Sequence, residues 1–78
     1  MSKKNEILNI LQKNKEELKK FGVKRIGIFG SAVRNELKKD SDIDFIVEFE
    51  ENRGDMKDFI GVIEFLENLF NRNVEVLL

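Results

Sequence analysis

The sequence contains neither cysteine nor histidine among its 78 residues. The absence of cysteine excludes a disulfide framework, a thiolate zinc site and a thiol nucleophile. The absence of histidine removes the commonest general base and the commonest metal ligand in proteins. Carboxylates are therefore the main candidates for any acid–base or metal chemistry of this chain.

Long apolar runs are also missing. No stretch approaches the length of a membrane span, and the N-terminus leads into a charged segment instead of the apolar core of a signal peptide. We therefore expect a cytoplasmic protein that does not bind a membrane. A chain of this length is predicted to form one domain, residues 1–78, of modest stability, because it buries only about 60–65% of its unfolded surface.

The charged residues are unevenly distributed. Residues 1–25 carry eight Lys or Arg and three Glu, whereas residues 26–78 carry six Lys or Arg and twelve Asp or Glu. A basic segment can contact nucleic acid or an acidic protein, but a lysine-rich face of an amphipathic helix is more often simply solvated. We favour the solvated face, so nucleic acid is not the expected partner.

Hydrophobic periodicity predicts helices and three short strands. Their order along the chain implies an α+β domain with a small three-stranded mixed sheet in the order 1-2-3. Strands 1 and 2 are expected to be antiparallel, and strand 3 parallel to strand 2 through a right-handed helical crossover, with helices covering the apolar face. In chain order we predict a helix over Ser2–Phe21 ended by Gly22, a strand over Val23–Phe29, a short helix over Ser31–Leu37, a strand over Ile43–Phe49, a helix capped by Asp55 and ended at 71–73, and a strand over Val74–Leu78.

A Gly-Ser pair, Gly30-Ser31, follows the first predicted strand and precedes the short helix. Glycine allows a ligand to approach the backbone closely, and we expect Ser31 to cap the helix. The first N–H groups of a helix are free to bind an anion. This order of elements therefore predicts a phosphate-binding turn.

An Asp-x-Asp sequence, Asp42-Ile43-Asp44, lies where the second strand begins. Because side chains alternate along a strand, the two carboxylates share one face, with their Cα atoms roughly 7 Å apart. Both can reach one Mg²⁺ or a pair of Mg²⁺ ions, which proteins commonly bind through one or two carboxylates plus substrate phosphates. Phosphate-binding turn and metal site are thus predicted to form a single site.

A calcium-binding loop is the alternative interpretation of these acids, because Asp40, Asp42, Asp44 and Glu51 match positions 1, 3, 5 and 12 of an EF-hand loop. The sixth position of that loop needs glycine for a sharp turn, and this chain has Phe45 there. The residues that follow continue a strand pattern. We therefore reject the calcium loop.

With Gly30-Ser31, ten intervening residues and then Asp42-Ile43-Asp44, the chain resembles the nucleotidyltransferase superfamily that includes DNA polymerase β, and within it the minimal nucleotidyltransferases. One departure is Asn35, where the family usually has glycine. Asparagine tolerates a left-handed backbone, so we expect the turn to be kept. The resemblance covers residues 22–49 well and the remainder loosely, and it also includes Arg34, Glu36 and Asp40-Ser41.

The resemblance implies Mg²⁺-dependent transfer of a nucleoside monophosphate, AMP from ATP, to a hydroxyl acceptor. Gly30 and Ser31 would bind the phosphates, and Asp42 and Asp44 would be catalytic and bind the metal. In the family a third carboxylate, typically aspartate, lies on the strand after the crossover helix, and Glu75 occupies that place. Glu75 is thus predicted to complete the metal site or to take the proton of the acceptor.

Minimal nucleotidyltransferases of this kind resemble the antitoxins of two-gene modules, whose partner is a helical HEPN-type toxin that they inactivate by transferring AMP. The resemblance therefore implies a nucleoside triphosphate and a HEPN-type protein as partners. The alternative is a catalytically degenerate module that binds nucleotide or partner without turnover. Glu75 in place of aspartate, and the ending of the chain at Leu78, keep that alternative open.

Overall fold

The computed structural model describes residues 3–78, which form four helical segments and three strands. We number the α-helices and strands in chain order and describe the single 3₁₀ turn by its residues. The elements are α1 (Lys3–Lys13), α2 (Lys15–Lys20), β1 (Val23–Phe29), the 3₁₀ turn Gly30–Ala32, β2 (Ile43–Phe49), α3 (Met56–Phe70) and β3 (Val74–Leu77).

The predicted single helix over Ser2–Phe21 is wrong, because the helix is broken at Asn14; Ser2 lies outside the described residues. The side-chain amide of Asn14 donates a hydrogen bond to the carbonyl of Ile10 at 2.8 Å, and its backbone has φ −108° and ψ 18°. Asparagine competes in this way with the regular backbone hydrogen bonds of a helix. The predicted end at Gly22 is confirmed, since this glycine has φ +83°.

The sheet has the predicted order β1-β2-β3. Strand β1 pairs antiparallel with β2, and β3 pairs parallel with β2 after the crossover through α3. In this register Asp44 lies opposite Phe29 on one side and Glu75 on the other. The predicted fold class and topology are confirmed.

One face of the sheet forms the core, and the other remains open. The β2 side chains Ile43, Phe45 and Val47 are at most 2% exposed and pack with fully buried side chains of α3. The alternate residues of β2 are half-buried or exposed. Helices therefore cover the face opposite the carboxylates, as the alternation in the sequence predicts. The remaining core residues from the helices are Ile7, Leu11, Leu18, Val62 and Leu66.

The predicted short helix over Ser31–Leu37 is also wrong. The chain makes only the 3₁₀ turn Gly30–Ala32. The helical conformation ends at Asn35, which has φ +58°. The N–H of Asn35 donates to the carbonyl of Ala32 at 3.2 Å, and the N–H of Glu36 donates to the carbonyl of Ser31 at 2.8 Å. This pair of bonds is the Schellman arrangement that ends helices. The expectation that Asn35 accepts a left-handed backbone is confirmed.

Helix α3 begins and ends as predicted. The Asp55 carboxylate accepts a hydrogen bond from the N–H of Asp58 at 2.8 Å, which is the bond of an N-cap. Asn71 ends the helix with φ +53°. Strand β3 then runs over Val74–Leu77, one residue shorter than predicted.

Candidate functional site

Gly30 lies directly against the carboxylate of Asp44. Its backbone has φ +66°, and a β-carbon added there would lie 2.6 Å from Oδ2 of Asp44. Such a distance is far inside van der Waals contact, so only glycine leaves room for this carboxylate beside the turn. The structure thus brings the Gly-Ser pair and the second aspartate of the Asp-x-Asp sequence together, although ten residues separate the two motifs.

The turn at Gly30-Ser31 differs from the predicted helix start. It is a single 3₁₀ turn, and its N-cap position is Phe29, with no side-chain capping bond, so Ser31 does not cap a helix. A helix dipole is therefore no part of this site. The polar groups that the turn can offer to an anion are backbone N–H groups and the Ser31 hydroxyl, an arrangement found in phosphate-binding turns.

The predicted carboxylates occupy neighbouring strands. Asp44 and Glu75 are register partners in the parallel pair β2–β3, so their side chains point to the same face, and neighbouring strands are about 4.8 Å apart. Asp44 is half-buried and Glu75 is exposed. Asp42 is exposed and lies immediately before the first residue of β2. Gly30, Asp44 and Glu75 therefore meet at one end of the open sheet face, with Asp42 at its margin.

A metal site formed by three protein ligands is not assembled in this arrangement. Within residues 3–78, no group of three or more His, Cys, Asp or Glu side chains is placed to hold a metal ion. The three-carboxylate site of Asp42, Asp44 and Glu75 stays a prediction. The residues present nevertheless fit Mg²⁺, which takes oxygen ligands and binds through one or two carboxylates together with substrate phosphates. The space that a β-carbon would fill at Gly30 lies on the Asp44 side of the turn.

Arg34 and Glu36, both part of the sequence resemblance, form an ion pair after the turn. Nε of Arg34 donates to Oε1 of Glu36 at 2.6 Å, and both side chains are well exposed. An exposed pair of this kind contributes little to stability. It lies on the segment between Gly30-Ser31 and Asp42, outside the group formed by Gly30, Asp44 and Glu75.

Arg72 was not predicted as a site residue. Its Nη1 donates to the carbonyl of Lys38 at 3.0 Å and to the carbonyl of Ser41 at 2.9 Å. Those carbonyls belong to the loop that leads into Asp42. No motif identifies such a residue, because its partners are backbone atoms more than thirty positions away in the chain.

Comparison with known proteins decides the family. The family model described as a nucleotidyltransferase domain matches residues 6–78. The chain belongs to this family. The resemblance that the Gly-Ser and Asp-x-Asp sequences indicated is thereby confirmed, and the chain is a minimal nucleotidyltransferase of the DNA polymerase β superfamily, a transferase of nucleoside monophosphates.

Two relatives from archaea cover nearly all of this nucleotidyltransferase. The protein adenylyltransferase MntA of Thermococcus cleftensis is 47% identical over 74 residues, which are 94% of this chain and 74% of the relative. A candidate protein adenylyltransferase of Methanocaldococcus jannaschii is 47% identical over 73 residues, 92% of this chain and 84% of the relative. No solved structure matches the chain. Among residues 3–78, no helix is long and apolar enough to cross a membrane.

Proposed function

We propose that this nucleotidyltransferase transfers AMP from ATP to a hydroxyl group of a protein, using Mg²⁺ bound by Asp42 and Asp44. The observation that carries the proposal is the contact between Gly30 and the Asp44 carboxylate, with Glu75 in register beside it. The Gly-Ser turn and two carboxylates from adjacent strands meet there. The names of the relatives support protein as the acceptor and adenylate as the transferred group.

In this mechanism the Gly30-Ser31 turn binds the β- and γ-phosphates through its N–H groups. Glycine at position 30 leaves room for the Asp44 carboxylate directly beside this turn. Asp42 and Asp44 would hold Mg²⁺, which would supply neutralisation of the charge that develops during transfer. By holding that ion, Asp42 and Asp44 would also orient the triphosphate beside the turn.

The acceptor oxygen forms a bond to the α-phosphorus, and the bond from that phosphorus to the bridging oxygen of the β-phosphate breaks. Pyrophosphate leaves with the electron pair. The proton of the acceptor hydroxyl passes to the Glu75 carboxylate, since the chain has no histidine to receive it. Glutamate is one methylene longer than the usual aspartate, so this base reaches further from its strand.

We propose as acceptor a HEPN-type toxin, with this chain as the antitoxin of the pair, acting in the cytoplasm where ATP is available. The resemblance to minimal nucleotidyltransferases implies this partner, and the protein adenylyltransferase of Thermococcus cleftensis supports a protein as acceptor. A second candidate function, binding of nucleotide or partner without turnover, is favoured by one observation. Glu75 stands where the family usually has aspartate, and its side chain is exposed.

The test compares the wild type with Asp42→Asn/Asp44→Asn and a matched control, Glu50→Gln/Glu51→Gln. The control makes the same change in charge at exposed residues beyond the other end of β2. Calorimetric titration with ATP, with and without Mg²⁺, measures binding; the mass gain of a purified HEPN-type protein measures transfer. We expect Mg²⁺-dependent binding in the wild type and the control, and at least ~100-fold slower transfer in the aspartate variant.

Undiminished transfer by a folded Asp42→Asn/Asp44→Asn variant would refute the mechanism. Mg²⁺-dependent ATP binding without transfer to any HEPN-type protein would favour the binding module. Wild type that is folded but binds no ATP would reject transfer and nucleotide binding, and would leave only a module that binds a protein partner.

A further inference from the structure

Arg72 joins the two segments that carry the predicted carboxylates. It lies in the turn between α3 and β3, three residues before Glu75. Its Nη1 donates to the carbonyl of Lys38 at 3.0 Å and to that of Ser41 at 2.9 Å, and Ser41 directly precedes Asp42. One side chain thus connects the entry of β3 to the loop before β2.

The loop held by Arg72 has further bonds of its own. The N–H of Ser41 donates to the carbonyl of Lys38 at 3.0 Å, and the N–H of Lys38 donates to the Ser41 hydroxyl at 3.2 Å. The Lys38 carbonyl, which closes this turn by accepting from Ser41, also accepts from Arg72. Ile43, just after Asp42, donates its N–H to the carbonyl of Asn73 at 3.2 Å. The backbone of Asp42 is therefore held on both sides. The residue before it, Ser41, accepts a bond from Arg72, and the residue after it, Ile43, donates a bond to Asn73.

Arg72 is half-buried, and the Ser41 carbonyl that it contacts is partly buried. A hydrogen bond from a charged donor is stronger than a neutral one, and it strengthens where water is partly excluded. Asp42 itself is exposed and lies outside the regular hydrogen bonding of β2. The loop bonds are consequently what fixes its backbone.

We propose that Arg72 is a positioning residue, which fixes Asp42 beside Asp44 in the geometry needed to bind the metal of the metal–nucleotide complex. The inference rests on the proposed function. Arg72 acts through the loop and touches neither nucleotide nor metal. Residues that orient metal ligands in this way typically change metal affinity or activity by about 10–100-fold when they are replaced.

The experiment uses Arg72→Gln, the conservative Arg72→Lys, and Arg53→Gln as matched control. Arg53 also binds a backbone carbonyl, that of Lys20 at the end of α2, at 3.0 Å, and it binds Asp58 through two further bonds of 2.9 Å. It follows the other end of β2, about 20 Å from Asp42 along the strand. Arg53→Gln therefore removes at least as many hydrogen bonds without affecting the Asp42 loop.

Amide hydrogen exchange, measured by NMR without any ligand, is the first readout. We expect faster exchange at Ser41 and Ile43 in Arg72→Gln, a partial return towards wild-type rates in Arg72→Lys, and no change at these amides in Arg53→Gln. The second readout is the ratio of ATP affinity with Mg²⁺ to ATP affinity without it. We expect this ratio to fall about tenfold in Arg72→Gln, to recover partly in Arg72→Lys, and to stay constant in Arg53→Gln.

Equal losses of ATP affinity with and without Mg²⁺ in Arg72→Gln would overturn the proposal, because they indicate a general structural role. Unchanged exchange at Ser41 together with an unchanged ratio would overturn it too. If wild type binds ATP without any Mg²⁺ dependence, the proposed function and the link from Arg72 to metal binding fail together. Even then, the exchange rates would show whether Arg72 holds the loop.

Discussion

Two glycines of this small domain show how differently single residues depend on their surroundings. Gly30 has a left-handed backbone and the Asp44 carboxylate beside it, whereas a β-carbon added at Gly27 would meet nothing within 4 Å. Both lie in the same part of the chain, at the end of β1 and just beyond it. They therefore form a matched pair for testing whether the contact between turn and carboxylate matters.

We predict that Gly30→Ala lowers both stability and nucleotide binding. A left-handed backbone costs an alanine roughly 1–2 kcal/mol, which lowers the Tm of a domain of this size by about 5–15 °C. The new β-carbon also displaces the Asp44 carboxylate, so the affinity for ATP with Mg²⁺ should fall at least ~10-fold. Thermal unfolding and calorimetry measure the two effects. Gly27→Ala should change neither strongly, and equal losses in both variants would contradict the prediction.

The site residues also show which interactions a sequence can reveal. The spacing of Gly30-Ser31 and Asp42-Ile43-Asp44 was recognisable because each motif is a short local pattern. The alternation of side chains along β2 then predicted the sheet face on which Asp44 lies, and the crossover topology places Glu75 beside it. Arg72 was missed because an arginine that binds distant backbone carbonyls leaves no periodic pattern in the sequence.

The elements predicted correctly are those whose apolar pattern is fixed by contact with the core. Strand β2 has alternate residues fully buried, so its bounds and facing were readable from the sequence. The break at Asn14 could not be predicted from the sequence, because Leu11 and Leu18 stay buried on both sides of it. A pattern of buried residues shows which face packs, but not whether the backbone hydrogen bonds between them are continuous. The same limit explains the helix predicted after Ser31, which Asn35 ends after one turn.

At the start of α3 we predict a specific dependence of stability on pH. Hydrogen bonds from Arg53, and then from the N–H of Gly54, lower the pKa of Asp58 from 3.8 to about 2, and Lys57 adds a smaller contribution in the same direction. A carboxyl group with a depressed pKa in the folded state stabilises the fold at pH values above its unfolded pKa. This stabilisation is fully present above about pH 4 and is lost as the pH falls through about 2.

Asp58→Asn removes this titration. The variant should have a lower Tm than the wild type at pH 7, and the difference should shrink as the pH falls from 4 to 2. Thermal unfolding monitored by circular dichroism over that range measures both. Asp40→Asn, in the exposed loop before β2, is the control and should leave the difference near zero. A constant difference between Asp58→Asn and wild type at every pH would show that Asp58 acts through packing instead of charge.

The whole molecule is a single layer of helices on one face of a three-stranded sheet, and this limits its stability. Its accessible surface is 5441 Å², whereas a folded chain of this mass typically exposes ~4,900 Å². Several large apolar side chains, including Phe29 and Met56, are more than half exposed. A domain of this length has a free energy of unfolding of about 4–12 kcal/mol. The free energy gained by binding a ligand is therefore large in comparison with this free energy of unfolding.

Because of this small free energy, the nucleotide should raise the Tm of the whole domain substantially. At a concentration 100 times its dissociation constant, a ligand that binds only the folded state adds about 2.7 kcal/mol. For a domain of this size that corresponds to an increase in Tm of about 10–20 °C. Scanning calorimetry with ATP alone, Mg²⁺ alone and both together should show the full increase only with both.

The increase should vanish in Asp42→Asn/Asp44→Asn and persist in Glu50→Gln/Glu51→Gln. The same increase in the aspartate variant would place the nucleotide elsewhere on the surface, since that variant lacks the charges that we propose bind the metal–nucleotide complex at the open face.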